Sequence, residues 1–177
     1  MLKLKPEDIR YLVVHTAAYD GENDNLEDII RWHKEERGFS TIGYHYYIRK
    51  DGTIKKGREE QYVGAHCKAS RMNFKSLGIC FEGHHDYEEW TEDQKDSFKI
   101  LCRSLQAKYR ISDENIIGHR EAYEQDPTPK TCPGKEIDMD EVRRIYPEMD
   151  ADKVDVEELE EFEGKIDFSK LELTDTL

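Results

Sequence analysis

Tyr11-Leu12-Val13-Val14-His15-Thr16 decides the fold. Its β-branched and aromatic residues, in one unbroken apolar run, predict a short buried strand. His15 stands at the C-terminal end of that strand, where open α/β sheets place their ligands. Thr16, Ala17 and Ala18 follow it, and such small side chains leave room for a metal and a substrate.

Working outward, Asn25 is placed to cap a helix from residue 26 to about residue 37, with Leu26, Ile29, Ile30 and His33 at helical spacing and Gly38 as its stop. Residues 44–50 predict a second strand, and Asp51-Gly52 a hairpin turn into residues 53–56. A short strand is expected at 61–66, a polar loop at 68–75, and an apolar strand at 76–82. Thr91-Glu92-Asp93-Gln94 is a capping box, and the helix it opens runs to about residue 109 with Phe98, Leu101, Cys102 and Leu105 as its buried stripe. A proline-containing loop at 122–129 and a last helix at 138–146, stopped by Pro147, complete the pattern. Strands alternating with helices, with one hairpin among them, predict an α/β fold: a central mixed β-sheet flanked by helices.

A chain of 177 residues suits one domain, here 1–147, with an appendage. The composition changes after Pro147: residues 148–177 hold 12 acidic and 3 basic side chains, against a net charge of −13 for the chain. That acidic C-terminal extension is expected to be a solvated tail or a short helix over 154–162 docked on the domain. So acidic a chain has no field to attract nucleic acid or an anionic membrane surface. No run reaches membrane-spanning length and no secretory signal is evident, so the expectation is a monomer, cytoplasmic as synthesised. Cys67, Cys80, Cys102 and Cys132 are then not a disulfide framework. Cys80 and Cys102 fit as buried apolar residues; only Cys132 sits among turn residues, beside a lysine.

Gly118-His119-Arg120-Glu121 followed by Lys130-Thr131-Cys132-Pro133-Gly134 sets a histidine and a cysteine 13 residues apart. With His15 they make two imidazoles and one thiolate, the ligand count of a catalytic zinc site that keeps one position open for water. Each histidine taken alone is more often structural than ligating.

These runs, together with Gly43-Tyr44-His45-Tyr46-Tyr47-Ile48, Asp51-Gly52 and Val63-Gly64-Ala65-His66, resemble the type 2 N-acetylmuramoyl-L-alanine amidases, a superfamily that includes small phage lysozyme-type amidases and animal peptidoglycan recognition proteins. The likeness covers roughly residues 9–146, with the motifs in the family's order. The resemblance implies hydrolysis of the amide between N-acetylmuramic acid and L-alanine in peptidoglycan, with Zn as cofactor. By position it implies His15, His119 and Cys132 as metal ligands and Tyr44 and Lys130 as catalytic residues. Lys130 two residues before the cysteine points to the phage lysozyme-type branch and hence to a phage or prophage endolysin. Such an enzyme acts on the cell wall after release through the membrane, with peptidoglycan or muropeptide as its partner.

Weaker expectations attach to five more positions. His66 and Thr16 are candidate substrate-binding residues, and Glu121 either orients His119 or is an ordinary surface glutamate. His84 and His85 are expected in a solvated turn, since adjacent residues of a strand cannot face one ion. Two other functions stay open: a non-catalytic peptidoglycan-binding module, disfavoured by Cys132, and a cytosolic anhydro-muropeptide recycling amidase, which usually carries aspartate where Cys132 stands.

Overall fold

A computed structural model of the chain describes residues 1–19, 26–123 and 130–144. The opening apolar run becomes β1, Tyr11–Thr16, every residue after Tyr11 buried. It is flanked on one side by β4, Ser76–Phe81, and on the other by β5, Ile116–Gly118, both parallel to it. Beyond β4 lies β2, Tyr46–Ile48, also parallel, and β3, Ile54–Lys56, returns antiparallel beside it. The order is β3-β2-β4-β1-β5. This is the expected mixed sheet, and Gly52, at φ 79°, makes the turn of its one hairpin.

Side chains alternate across the sheet and so sort its two faces. Leu12, Val14, Leu77, Ile79 and Phe81 pack in one cluster with Phe98, Leu101, Cys102 and Leu105 of α2, Glu92–Tyr109. Cys80 and Tyr47 turn the other way, onto Leu26 and Ile29 of α1, Leu26–Arg31. Val13 packs in a separate cluster with Cys67 and Met72. The capping box of α2 is formed: Gln94 N–H donates to Thr91 Oγ1 and Thr91 N–H to Gln94 Oε1, each at 3.0 Å. The last described helix is α3, Met139–Arg144. No helix among the described residues is long and apolar enough to cross a membrane.

Several local expectations need correcting. The first helix leaves α geometry after Arg31 and continues as a π-helical turn, Trp32–Glu36, which brings His33 inward. The expected strand at 61–66 is absent; only Tyr62 bridges, to Lys3. Its amides find scattered acceptors instead, Val63 N–H on Leu2 O, Ala65 N–H on Gly43 O and His66 N–H on Asn73 Oδ1, at 2.9–3.0 Å. The second strand is shorter than 44–50, running only over Tyr46–Ile48, although His45 N–H still reaches Gly78 O of β4. The polar loop at 68–75 is a 3-10 stretch, Ala69–Phe74, in which Ser70 and Arg71 are left-handed. His85 is not in a solvated turn: it is fully buried, its ring nitrogens facing the carbonyls of Glu88 and Glu82. The Asn25 cap, most of the loop at 122–129, the end of the last helix and the extension from 148 lie outside the described residues.

Candidate metal centre

Four of the five strands run parallel into one edge, and the centre forms where they end. His15 closes β1; His119 follows β5 directly; Cys132 lies on a loop that returns to the same place. One potential ligand atom from each of His15, His119 and Cys132 lies within 4.8 Å of the others. His15 Nδ1 is 3.7 Å from Cys132 Sγ, and the rings of His15 and His119 are 4.4 Å apart. The structure therefore joins positions separated by 117 residues.

Local causes fix each side chain. His15 Nε2 meets His66 Nδ1 at 3.0 Å, which leaves Nδ1 of His15 toward the cysteine. The His66 ring fits there because Gly64 and Gly78 have no Cβ; one built on Gly78 would stand 2.5 Å from His66 Cγ. His66 thus sits buried beneath His15 rather than along an open groove. Thr16 gives its hydroxyl to Gly83 O at 2.8 Å, and its backbone N–H bonds the Cys132 sulfur. The Tyr44 ring packs, tilted, 5.0 Å from His15 and 5.6 Å from His33, and its hydroxyl bonds Cys80. Lys130 is exposed; its ammonium lies 5.4 Å over the Tyr123 ring, which packs 5.2 Å from His119.

Glu121 departs from expectation. Its carboxylate accepts the Gly118 N–H at 2.7 Å and is clasped by Arg143 at 2.5 Å. It steadies the backbone that enters His119 and is occupied there, away from the imidazole. The short distance from Gly118 N to the glutamate three residues on explains this preference.

Burial governs the charges. It is the largest cause holding His15 well below the usual imidazole range, with His66, His119 and His45 adding to it. Burial, then Lys130, lowers His119 to about 4. Burial raises Cys132 to about 12, partly opposed by the Thr16 N–H and Arg120. It also raises Tyr44 well above 10, with Cys80 and Cys132 contributing. With no cation, all four groups are neutral at pH 7. Neutral imidazole is the form that ligates, and a bound divalent ion inverts the local preference of a thiol by deprotonating it. His119 Nε2 is buried with no hydrogen-bond partner. Such an orphan is costly unless something binds it. Two nitrogens, one sulfur and a neutral phenol beside them fit a three-ligand zinc site.

Sequence reasoning missed two residues that shape this centre. Arg120 donates its backbone N–H to Cys132 O at 2.7 Å, and Asp86 accepts from Thr131 Oγ1 at 2.9 Å. Contacts to loop backbone leave no periodic signal; only the place of Arg120 beside His119 hinted at it.

Comparison with known proteins identifies the relatives of this chain. The endolysin of Escherichia phage T7 is 33% identical over 132 residues, 71% of this chain and 81% of that protein. Peptidoglycan-recognition protein SC2 of Drosophila melanogaster is 32% identical over 113 residues, 63% of this chain and 58% of that one. Among solved structures, the N-acetylmuramoyl-L-alanine amidase LysC from Clostridium intestinale URNW superposes with a TM-score of 0.68 at 34% identity, covering 79% of this chain and 86% of its own. The family described as N-acetylmuramoyl-L-alanine amidase matches residues 5–135, the span that contains all five strands, both histidines and the cysteine, and to that family this chain belongs.

Proposed function

We propose that this chain is a zinc-dependent N-acetylmuramoyl-L-alanine amidase. It hydrolyses the amide between the lactyl group of N-acetylmuramic acid and the L-alanine of the stem peptide, as a phage or prophage endolysin. The observation that carries the metal part is the convergence of His15, His119 and Cys132 within 4.8 Å. Family membership and the phage endolysins among its relatives support the choice of bond.

An amide is a poor electrophile and water a poor nucleophile at neutral pH. Zinc held by His15, His119 and Cys132 would supply a Lewis acid and lower the pKa of a bound water to about 7. The chain's own groups do the rest. Tyr44 keeps its proton, so it donates a hydrogen bond to the oxygen on which negative charge develops. Lys130 sets a fixed cation on the His119 side of the centre, where it stabilises the same charge. His66, bonded to Nε2 of His15, fixes which nitrogen of that ring faces the metal. Thr16 lines the floor through its main chain, with its N–H on the sulfur. The catalytic unit is residues 1–147, the acidic extension 148–177 supplies no catalytic group, and the enzyme works as a monomer on peptidoglycan, with no role for nucleic acid. Made in the cytoplasm, it reaches the wall after release through the membrane.

The test is clearance of a suspension of exposed cell walls, with mass spectrometry of the soluble products. Zinc-loaded protein is expected to clear the suspension and free stem peptides with an L-alanine amino terminus; chelated protein and zinc-loaded Cys132→Ser are expected to do neither. Walls left intact by zinc-loaded parent protein would overturn the proposal.

A further inference from the structure

The loop at residues 131–137 carries Cys132 yet has neither helix nor strand to hold it. Two side chains outside the metal centre grip it from opposite sides. From the β5 side, Arg120 donates its backbone N–H to Cys132 O at 2.7 Å. Its guanidinium reaches three further carbonyls: Nη1 to Thr131 O at 3.2 Å and Gly134 O at 2.6 Å, Nη2 to Ile137 O at 2.7 Å. From the turn that follows β4, Asp86 accepts Thr131 Oγ1–H at 2.9 Å and the Lys135 N–H at 3.0 Å. The carbonyl of His85 takes the Glu136 N–H at 2.9 Å, and Gly134, at φ +122°, lies on the His85 backbone where no Cβ fits.

We infer that Arg120 and Asp86 are positioning residues that hold the Cys132 loop in its ligating geometry before a cation arrives. Neither is one of the three candidate ligands. Arg120 is the neighbour of His119, so one residue sets the spacing between a candidate ligand just after β5 and one on the loop. A planar, multi-donor guanidinium satisfies several carbonyls at once, which a single ammonium cannot do. Ligand groups fixed in advance lose less entropy on binding, so the clamp raises metal affinity without contributing a ligand. The inference rests on the metal centre proposed above, and one of its measurements needs no metal.

The test uses the full chain and its Arg120→Lys, Arg120→Met and Asp86→Ala variants. Zinc affinity is measured by competition with a chromophoric chelator, and the cobalt-substituted site by its thiolate charge-transfer band. Alkylation of Cys132 in metal-free protein is followed by mass spectrometry. Both Arg120 variants are expected to bind zinc roughly 10–100-fold more weakly, the range for losing a group that orients a ligand. Their cobalt band should weaken and their Cys132 should alkylate faster. Arg120→Lys matching the parent would overturn the inference, since charge alone would then suffice. Faster alkylation in variants of a parent that takes no zinc would leave the clamp standing and sink the metal centre instead. If the Arg120 variants do not fold, Asp86→Ala decides: parent-like affinity and alkylation there overturn the inference.

Discussion

Acid should unfold this protein through its buried histidines, and His45 allows the effect to be worked out. Its side chain is fully buried. Nδ1 accepts the Gly78 N–H at 2.9 Å, and Nε2 faces Tyr62 O at 3.1 Å. The neutral ring with its proton on Nε2 satisfies both; an imidazolium would set a second N–H against that of Gly78. Burial is the largest cause lowering its pKa, the Tyr62 carbonyl opposes it and the Arg58 cation adds to it, leaving a value of about 4. Against an unfolded value near 6.5, the gap of roughly 2.5 pH units at 1.36 kcal/mol each is worth about 3 kcal/mol. The sign follows from which state binds the proton first. A histidine depressed in the fold is protonated first in the unfolded chain, so its contribution is complete above about 6.5 and is lost as pH falls toward about 4. Urea unfolding of metal-free protein from pH 7.5 to 4 measures this, with His45→Gln beside the parent. The glutamine costs stability at every pH but cannot titrate. Between pH 6.5 and 4 the parent should therefore lose about 1.4 kcal/mol per pH unit more than the variant. His33, whose Nδ1 accepts the Gly43 N–H and whose pKa is lowered to about 4, acts equally in both proteins. Equal slopes, or a His45 ring that titrates near 6.5 by NMR, would refute the reasoning.

Tyr44→Phe is expected to retain zinc but lose about 10²–10³ in turnover, the cost of one donor to a developing oxyanion; parallel metal analysis and wall-clearing rates check it, and unchanged turnover removes Tyr44 from the mechanism. Gly78→Ala pushes a methyl into the His66 ring, so thermal unfolding should show a loss of about 1–3 kcal/mol from overpacking, and zinc affinity should fall with it. Thr91→Ala removes the oxygen that accepts the Gln94 N–H and should cost about 0.5–2 kcal/mol in denaturant midpoint, with hydrolysis intact. Truncation after Pro147 should leave wall hydrolysis in place; a folded truncate with no activity would show that the extension takes part.

What the sequence revealed follows the range of the interactions involved. β1, the Asp51-Gly52 turn and the capping box of α2 rest on residues within a few positions of one another, so pattern and propensity suffice to read them. The segment at 61–66 misled because β-like composition says nothing about which acceptors surround a strand. Its amides were taken by Leu2, Gly43 and the side chain of Asn73, none of which its own residues specify. The same limit applies to burial: His84 and His85 look alike in sequence, yet the backbone bend after β4 gives His85 two carbonyls and a closed site.

The candidate metal centre divides along that line too. Its candidate donors were legible because two imidazoles and a thiolate match the ligand count of a zinc site and because the motifs around them resemble a known family. Their support was not, because Arg120, Asp86 and His66 act on backbone carbonyls, a loop hydroxyl and a second imidazole brought close only by the fold. Glu121 shows how far proximity in sequence can mislead: two residues from His119, its carboxylate goes to Gly118 N–H and Arg143, since a backbone donor and a guanidinium offer stronger partners than a ring already turned toward the centre. The chemistry of such a site is therefore written in the identity of its ligands, and its accuracy in contacts that only the folded chain creates.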